Sequence, residues 1–163
     1  MRHAKSDWST LADGDFTRPL AKRGLKNAPR MGQWLASQAF KPELLVSSPA
    51  ERAKQTVLAV AEQLNTPEEK VNWDPRIYEA TLHDLLAVLD DYAVQSDSIL
   101  LVGHNPGLDS LVEYLSRERP VYSSSGKLMT TAAIAVLDFG DQGISTREHS
   151  AQLEMLVRPK ELS

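Results

Sequence analysis

The chain has 163 residues, 42% of them hydrophobic, with a formal net charge of -4 and no cysteine. This length and apolar content predict one domain over residues 1–163. The acidic balance argues against nucleic-acid or anionic-membrane partners, and the lack of cysteine excludes a disulfide framework, a thiolate nucleophile and a cysteine-ligated metal. No apolar run reaches the ~18 residues that a membrane helix needs. We therefore predict a cytoplasmic protein.

The chain opens on two chemistry-bearing side chains, Arg2 and His3. A neutral histidine can attack a phosphoryl group, and a neighbouring arginine can hold its oxygens. In an α/β sheet such a nucleophile loop normally follows a strand of about five residues, but only Met1 precedes Arg2 here. The sequence therefore predicts an apolar strand upstream of Met1. The polar stretch 9–18 that follows, with its Asp13-Gly14-Asp15 turn signal, predicts a loop near the site.

Apolar runs then alternate with segments of helical periodicity. We expect helices over residues 24–40, 49–64, 81–92 and 108–115, and strands over 44–47, 71–78, 98–103, 130–139 and 151–157. Pro29 should kink the first helix or mark its first turn, and Thr81 with Asp84 forms a capping-box pair. Strands that alternate with helices predict an α/β three-layer sandwich. Its central sheet is mainly parallel, with helices on both faces and an antiparallel edge formed by the last two strands.

Three later segments carry candidate site residues at strand ends. Arg52 follows the strand ending in Ser47 and falls in the first turn of a helix, while His104 follows the strand ending near Gly103. Glu79 lies on a short step before another helix, where a carboxyl group with a pKa raised by burial would serve as a general acid. Ligands gather at the carboxyl ends of parallel strands, so these residues and His3 should converge.

These four blocks, in this order from Met1 to about Phe139, resemble the histidine phosphatase superfamily, and Arg2-His3-Ala4-Lys5-Ser6 resembles its small bacterial phosphohistidine phosphatases of the SixA type. The resemblance implies a phosphoglycerate mutase-like fold. It implies His3 as the phosphorylated nucleophile, Arg2, Arg52 and His104 as the phosphate pocket and Glu79 as the proton donor. Ala4 stands where the family usually has glycine. Ser6 and Arg18 match the segment around the substrate loop.

The implied activity is hydrolysis of phosphohistidine through a covalent enzyme intermediate, in a signalling role and without a cofactor. The expected partner is a phosphorylated protein of the histidine-containing phosphotransfer type, or a small phosphorylated substrate. The short cap, Tyr78–Leu82 with the 120–127 loop, favours a protein substrate. Two alternatives stay open: a phosphomonoesterase acting on small phosphoesters, and a phosphate-binding module without turnover. A metal site is not expected, because the histidines lack metal-ligand spacing; His83 and His149 are expected to be surface and structural residues.

Overall fold

The structure, a computed structural model, describes residues 1–9 and 13–162. Its helices are α1 (Lys22–Ala36), α2 (Glu51–Gln63), α3 (Leu82–Ala93) and α4 (Gly107–Leu115). Its strands are β1 (Leu44–Ser47), β2 (Val71–Trp73), β3 (Ile99–Val102), β4 (Ile134–Asp138) and β5 (Gln152–Val157). Residues 10–12 of the predicted 9–18 loop lie outside the described part of the chain. Every predicted helix and strand has a counterpart, with ends that differ by up to five residues.

Three parallel strands form the central sheet in the order β2-β1-β3, and β4 pairs with β5 in a separate antiparallel sheet. The first residues of the chain join the two sheets. The Gly103 N–H donates to the Met1 carbonyl at 3.0 Å and the Arg2 N–H donates to the Ala133 carbonyl at 3.1 Å. Residues 1–3 therefore take the strand position between β3 and the segment that leads into β4. This arrangement confirms the predicted α/β sandwich with a mainly parallel sheet and an antiparallel edge.

Alternate residues of each central strand face opposite layers, as a strand buried on both faces requires. Leu45 and Leu100 pack against α1 and α2, whereas Val46 and Leu101 pack against α3 and α4. The sheet is thus covered on both sides. Among residues 1–9 and 13–162, no helix has both the length and the apolar character needed to cross a membrane.

Helix α1 differs from the sequence prediction in two respects, each for a local reason. Helix α1 runs through Pro29 as one element, because the residues around this proline are buried against α2 and their packing offsets the lost backbone bond. It stops at Ala36, where the Ser37 hydroxyl and the Gln38 amide donate to the Trp34 carbonyl and satisfy the last turn. Helix α3 has the predicted capping box between Thr81 and Asp84.

Next to Met1 the edges of β3 and β4 enclose an apolar cavity of about 580 Å³. Its lining includes Met1, Leu35 of α1, Leu89 of α3 and Met155 of β5. It also includes Ile99, Leu100 and Leu101 of β3, Ile134, Ala135, Val136 and Leu137 of β4, and Leu108, Leu111, Val112 and Leu115 of α4. The Met1 amine donates to the Leu101 carbonyl at 2.7 Å, and burial lowers its pKa to about 5.

Candidate active site

His3 lies at the centre of the candidate site, buried between the two sheets. Its Nδ1 is 2.7 Å from the Ala4 carbonyl, which can only accept, so Nδ1 carries the proton and Nε2 keeps its lone pair. Burial, with smaller contributions from the neighbouring His104, Arg52 and Arg2, lowers the pKa of His3 to about 3. The ring is therefore neutral near pH 7, as a nucleophile must be.

His104 follows β3 directly, and its ring centroid is 5.1 Å from that of His3. Its Nε2 is 2.8 Å from the hydroxyl of Ser48, which follows β1. Its Nδ1 is buried and has no hydrogen-bond partner among the described residues. Burial, followed by the charge of Arg52, lowers the pKa of His104 to about 4. The pairing of residues 1–3 beside the end of β3 thus brings two neutral imidazoles together.

Arg52 lies in the first turn of α2 with its side chain almost fully buried. Its Nη1 donates to the Asp15 carbonyl at 2.7 Å and its Nη2 to the Asp15 carboxylate at 3.0 Å. Its Nε is buried and has no partner in residues 1–9 and 13–162. The hydroxyl of Thr56, one turn later, accepts the Ala4 N–H at 3.0 Å. This bond ties helix α2 to the backbone beside His3.

Arg2 is held by a network that the sequence did not reveal. Its Nη1 donates to the Met129 carbonyl at 3.0 Å, which also accepts from the Asn105 amide at 2.9 Å. The Asp109 carboxylate accepts the Met129 N–H at 2.9 Å and opposes the lowering of the Arg2 pKa by burial. The only sequence signal was position: Asn105 adjoins His104, and Asp109 lies in the first turn of α4. The Arg2 Nε also has no partner within the described chain.

The sequence identified Asp15 only as part of a turn. In the structure its carboxylate connects three other side chains on the outer side of the site. Its carboxylate accepts from the Tyr78 hydroxyl at 2.6 Å and from Arg18 at 2.5 Å, besides Arg52. The Tyr78 bond, with help from both arginines, holds the pKa of Asp15 well below its usual range. Burial and the bond to Asp15 raise the pKa of Tyr78 to about 12. Asp15 is therefore an anion and Tyr78 a neutral donor throughout the physiological range.

Ser6 and Arg18, the predicted substrate-loop residues, lie together: the Arg18 Nε donates to the Ser6 hydroxyl at 3.0 Å. The Arg18 guanidinium also stacks on the exposed Trp8 ring, 3.6 Å from its centroid. Trp8 and Phe16, which contacts Tyr78 edge to face at 5.0 Å, add aromatic surface at the entrance.

Glu79 stands apart from the buried cluster. Its side chain is exposed, its backbone has a left-handed φ of 55°, and it makes no hydrogen bond or ion pair with any described residue. The burial expected of a general acid is thus missing at Glu79. Its neighbour Tyr78 packs 5.6 Å from the His104 ring, so Glu79 is still near the entrance.

The remaining histidines have the surroundings expected of them. His83 is exposed at the start of α3. His149 Nδ1 is 2.7 Å from the Ser116 carbonyl, a contact that fixes a loop far along the chain from the site. In the part of the chain that the structure describes, no group of three His, Asp or Glu side chains is placed to hold a metal ion.

Comparison with known proteins agrees with this geometry. Residues 1–86 match the family model of the histidine phosphatase superfamily (branch 1). The chain is 31% identical over 149 residues to the phosphohistidine phosphatase SixA of Escherichia coli K12, covering 90% of this chain and 87% of that protein. It is also 31% identical over 149 residues to an uncharacterised chloroplastic protein of Arabidopsis thaliana, covering 86% of this chain but 66% of that protein.

A solved structure of the protein histidine phosphatase SixA complexed with tungstate superposes with a TM-score of 0.80 at 25% identity, covering 100% of this chain and 97% of the other. The matched residues 1–86 include His3, Arg52 and Glu79, and the structural match extends over His104 as well. The chain belongs to the histidine phosphatase superfamily.

Proposed function

We propose that this protein hydrolyses phosphohistidine, with His3 carrying the phosphoryl group as a covalent intermediate. One observation supports this proposal most: three buried nitrogens, Arg2 Nε, Arg52 Nε and His104 Nδ1, have no partner among the described residues. Buried donors without acceptors are uncommon because each costs free energy. All three belong to side chains that act electrostatically on His3. A phosphoryl group bound against His3 would satisfy them.

The tautomer of His104 fits this role. The Ser48 hydroxyl oxygen accepts the Ala50 N–H at 3.2 Å, so its own proton is free to be donated to His104 Nε2. That leaves the proton of His104 on Nδ1, the nitrogen without a partner. His104 then binds a nonbridging phosphoryl oxygen as a neutral donor, while Arg2 and Arg52 supply the positive charge.

The reaction proceeds in two displacements. His3 Nε2 attacks phosphorus in line, the bond from phosphorus to the leaving nitrogen breaks, and the phosphoryl group passes to His3. Water then attacks the phosphohistidine, its proton goes to the released phosphate, and His3 returns to its neutral form. The Ala4 carbonyl holds the ring through Nδ1 in both steps, which keeps the nucleophilic nitrogen aimed at phosphorus.

The leaving group needs little help from an acid. Glu79 lies at the entrance and is the predicted proton donor, but its exposure argues for a weak contribution. A phosphoramidate is a reactive donor whose nitrogen leaves readily once protonated. An exposed carboxyl group is therefore sufficient for phosphohistidine, and less so for an alkyl phosphoester.

A histidine on a protein surface is the substrate that fits best. The predicted cap is short, and Glu79 and most of the 120–127 loop in it are exposed. The similarity to SixA, a phosphohistidine phosphatase, points the same way. A phosphorylated protein of the histidine-containing phosphotransfer type is thus the expected partner, and a small phosphorylated molecule is the alternative.

Rapid quenching with a ³²P-labelled phosphodonor tests the proposal. We expect acid-labile, alkali-stable label on the peptide that contains His3, formed and lost at rates compatible with turnover. The variant His3→Gln should neither label nor hydrolyse, whereas the matched variant His83→Gln, at an exposed histidine, should behave as the wild type.

Other outcomes would overturn the proposal. Hydrolysis without label on the His3 peptide would exclude this nucleophile. Phosphate binding without hydrolysis of any donor would favour the phosphate-binding module. Faster turnover of small phosphoesters than of phosphorylated histidine proteins would favour the phosphomonoesterase.

A further inference from the structure

Asp15 places a fixed negative charge beside the proposed phosphoryl-binding site. Its carboxylate touches Arg52, Arg18 and Tyr78, and both terminal nitrogens of Arg52 donate to Asp15 atoms. Three elements far apart in the chain thus converge on one carboxylate that is still 45% exposed. A group needed only to neutralise Arg52 would not require a second arginine and a tyrosine hydroxyl to hold it.

The position of Asp15 relative to His3 decides which part of a substrate it meets. His3 lies on the buried side of the site, so an in-line displacement leaves the departing group on the opposite, open side. That side carries Asp15, the Tyr78 hydroxyl and Glu79, and offers Arg18 already paired with Asp15 and Ser6. The departing group therefore faces the partly exposed carboxylate of Asp15, together with the arginines that pair with it.

We propose that Asp15 is a specificity-determining residue, which selects phosphoryl donors whose ring is bound as a cationic imidazolium over donors whose leaving group departs as an anion. This inference rests on the proposed phosphohistidine phosphatase activity and extends it to one residue. A carboxylate beside the leaving group attracts a positively charged ring and repels a phenolate or a carboxylate. It also keeps the imidazole of the substrate protonated on its second nitrogen.

That protonation removes the need for a separate acid. When the second nitrogen of the substrate imidazole already carries a proton, His3 Nε2 forms the new bond to phosphorus and the old phosphorus–nitrogen bond breaks. Its electron pair returns to the leaving ring, which departs as neutral imidazole, and His3 becomes the phosphorylated cation. No proton moves in this step, which explains how an exposed Glu79 without fixed partners is compatible with turnover.

The test is a ratio of two activities, kcat/KM for phosphoimidazole divided by kcat/KM for p-nitrophenyl phosphate. In Asp15→Asn we expect the phosphoimidazole value to fall about tenfold and the p-nitrophenyl phosphate value to rise about threefold, as expected for loss of one partly exposed charge. Asp15→Glu should keep most of the wild-type ratio. Asp13→Asn, an exposed aspartate in the same loop, is the matched control.

A second measurement varies the salt concentration. In the wild type, added salt should lower the ratio by screening the attraction to the imidazolium, and in Asp15→Asn the ratio should not respond. Equal changes for both donors in Asp15→Asn, or a salt-independent wild-type ratio, would overturn the inference. The proposed function fails separately, if the wild type hydrolyses neither donor or carries no label on His3.

Discussion

The two sides of the site are built in different ways. The floor, defined as Arg2, His3, Arg52 and His104, stands on strand ends and one helix start and is fixed by backbone atoms of Ala4 and Met129. The rim, defined as Asp15, Phe16, Tyr78 and Glu79, lies on loops. Apart from Glu79, it is held by contacts between its own side chains and those of Arg18 and Arg52.

Because of this difference, the two sides should contribute differently to catalysis. Floor groups are desolvated, so each hydrogen bond to a phosphoryl oxygen is strong and its loss leaves a buried group without a partner. Rim groups are partly hydrated, and water replaces them cheaply. Substitutions in the floor should therefore abolish chemistry, and substitutions in the rim should tune rate and specificity.

The largest effect is expected at His3. His3→Gln keeps a polar side chain of similar size but has no nucleophilic nitrogen, so kcat should fall by roughly 10⁴-fold or more, since an alternative nucleophile would have to be water. Steady-state hydrolysis of phosphoimidazole measures this loss. Residual activity within about a hundredfold of the wild type would contradict the central role of the floor.

Arg52 tests whether the floor acts through geometry or through charge alone. Arg52→Ala should lower kcat/KM by about 10² to 10³-fold, as removal of one preorganised donor does in other oxyanion sites. Arg52→Lys keeps the charge but loses the planar fork, and should recover about tenfold of that loss at most. Arg23→Ala, at an exposed arginine of α1, is the control. Full activity in Arg52→Lys would mean that charge alone suffices.

The same division explains what could be predicted from the sequence. Arg52 and His104 could be found because each follows an apolar run that ends in a polar signal, and parallel strands bring their ends together. Arg2 and His3 could be found because they form an adjacent pair of the residue types that phosphoryl chemistry needs. Asp15 could not, because its partner Tyr78 is 63 residues away and Arg52 is 37 residues away. Contacts between loops leave no periodic pattern in the sequence. The exposure of Glu79 was missed for the same reason, since the path of a four-residue step depends on packing around it.

The position of the first residues shows a related limit. The sequence indicated that a strand is needed at the nucleophile, but pairing of residues 1–3 with both Gly103 and Ala133 depends on two segments more than a hundred residues away. Gly24 shows the same limit, because nothing in the helical sequence pattern explained why this position is a glycine. A Cβ there would lie 2.2 Å from the Lys5 carbonyl oxygen, so α1 packs directly on the backbone that follows His3 and Ala4.

Gly24→Ala tests whether the floor depends on that backbone contact. The clash is with main-chain atoms that cannot rotate away, so we expect a loss of about 3 kcal/mol in the free energy of unfolding. Urea denaturation measures it, with Lys26→Ala, at an exposed position of the same helix, as a control within about 0.5 kcal/mol of the wild type. A change in Gly24→Ala as small as in the control would show that the floor tolerates movement of the loop.

The loss of stability at low pH tests whether His3, at the centre of the floor, is buried. The pKa of His3 is 6.5 in its ordinary state and about 3 in the folded chain. Between these pH values His3 binds a proton in the unfolded chain but not in the folded chain. Stability is therefore present above pH 6.5 and is lost as the pH falls towards 3. From pH 7.5 to pH 5, His3 alone should cost roughly 2 kcal/mol.

The measurement compares urea unfolding of the wild type and His3→Gln at the two pH values. Other groups titrate in both proteins, including His104, whose pKa is lowered to about 4, so the difference between the two losses isolates His3. We expect the wild type to lose about 2 kcal/mol more than the variant. Equal losses would mean that the His3 ring is hydrated and belongs with the rim.

The smallest effect is expected at Glu79. With its side chain exposed and without a hydrogen-bonded partner in the described residues, Glu79→Gln should lower kcat/KM for phosphoimidazole by about threefold or less, an effect of the size typical for exposed charges. An alkyl phosphate, whose oxygen must gain a proton to leave, should lose about tenfold or more if Glu79 is the acid. A large loss with phosphoimidazole would mean that the rim closes over the substrate and buries Glu79 in the bound state. The difference in exposure between rim and floor would then hold only in the free protein, before the substrate binds.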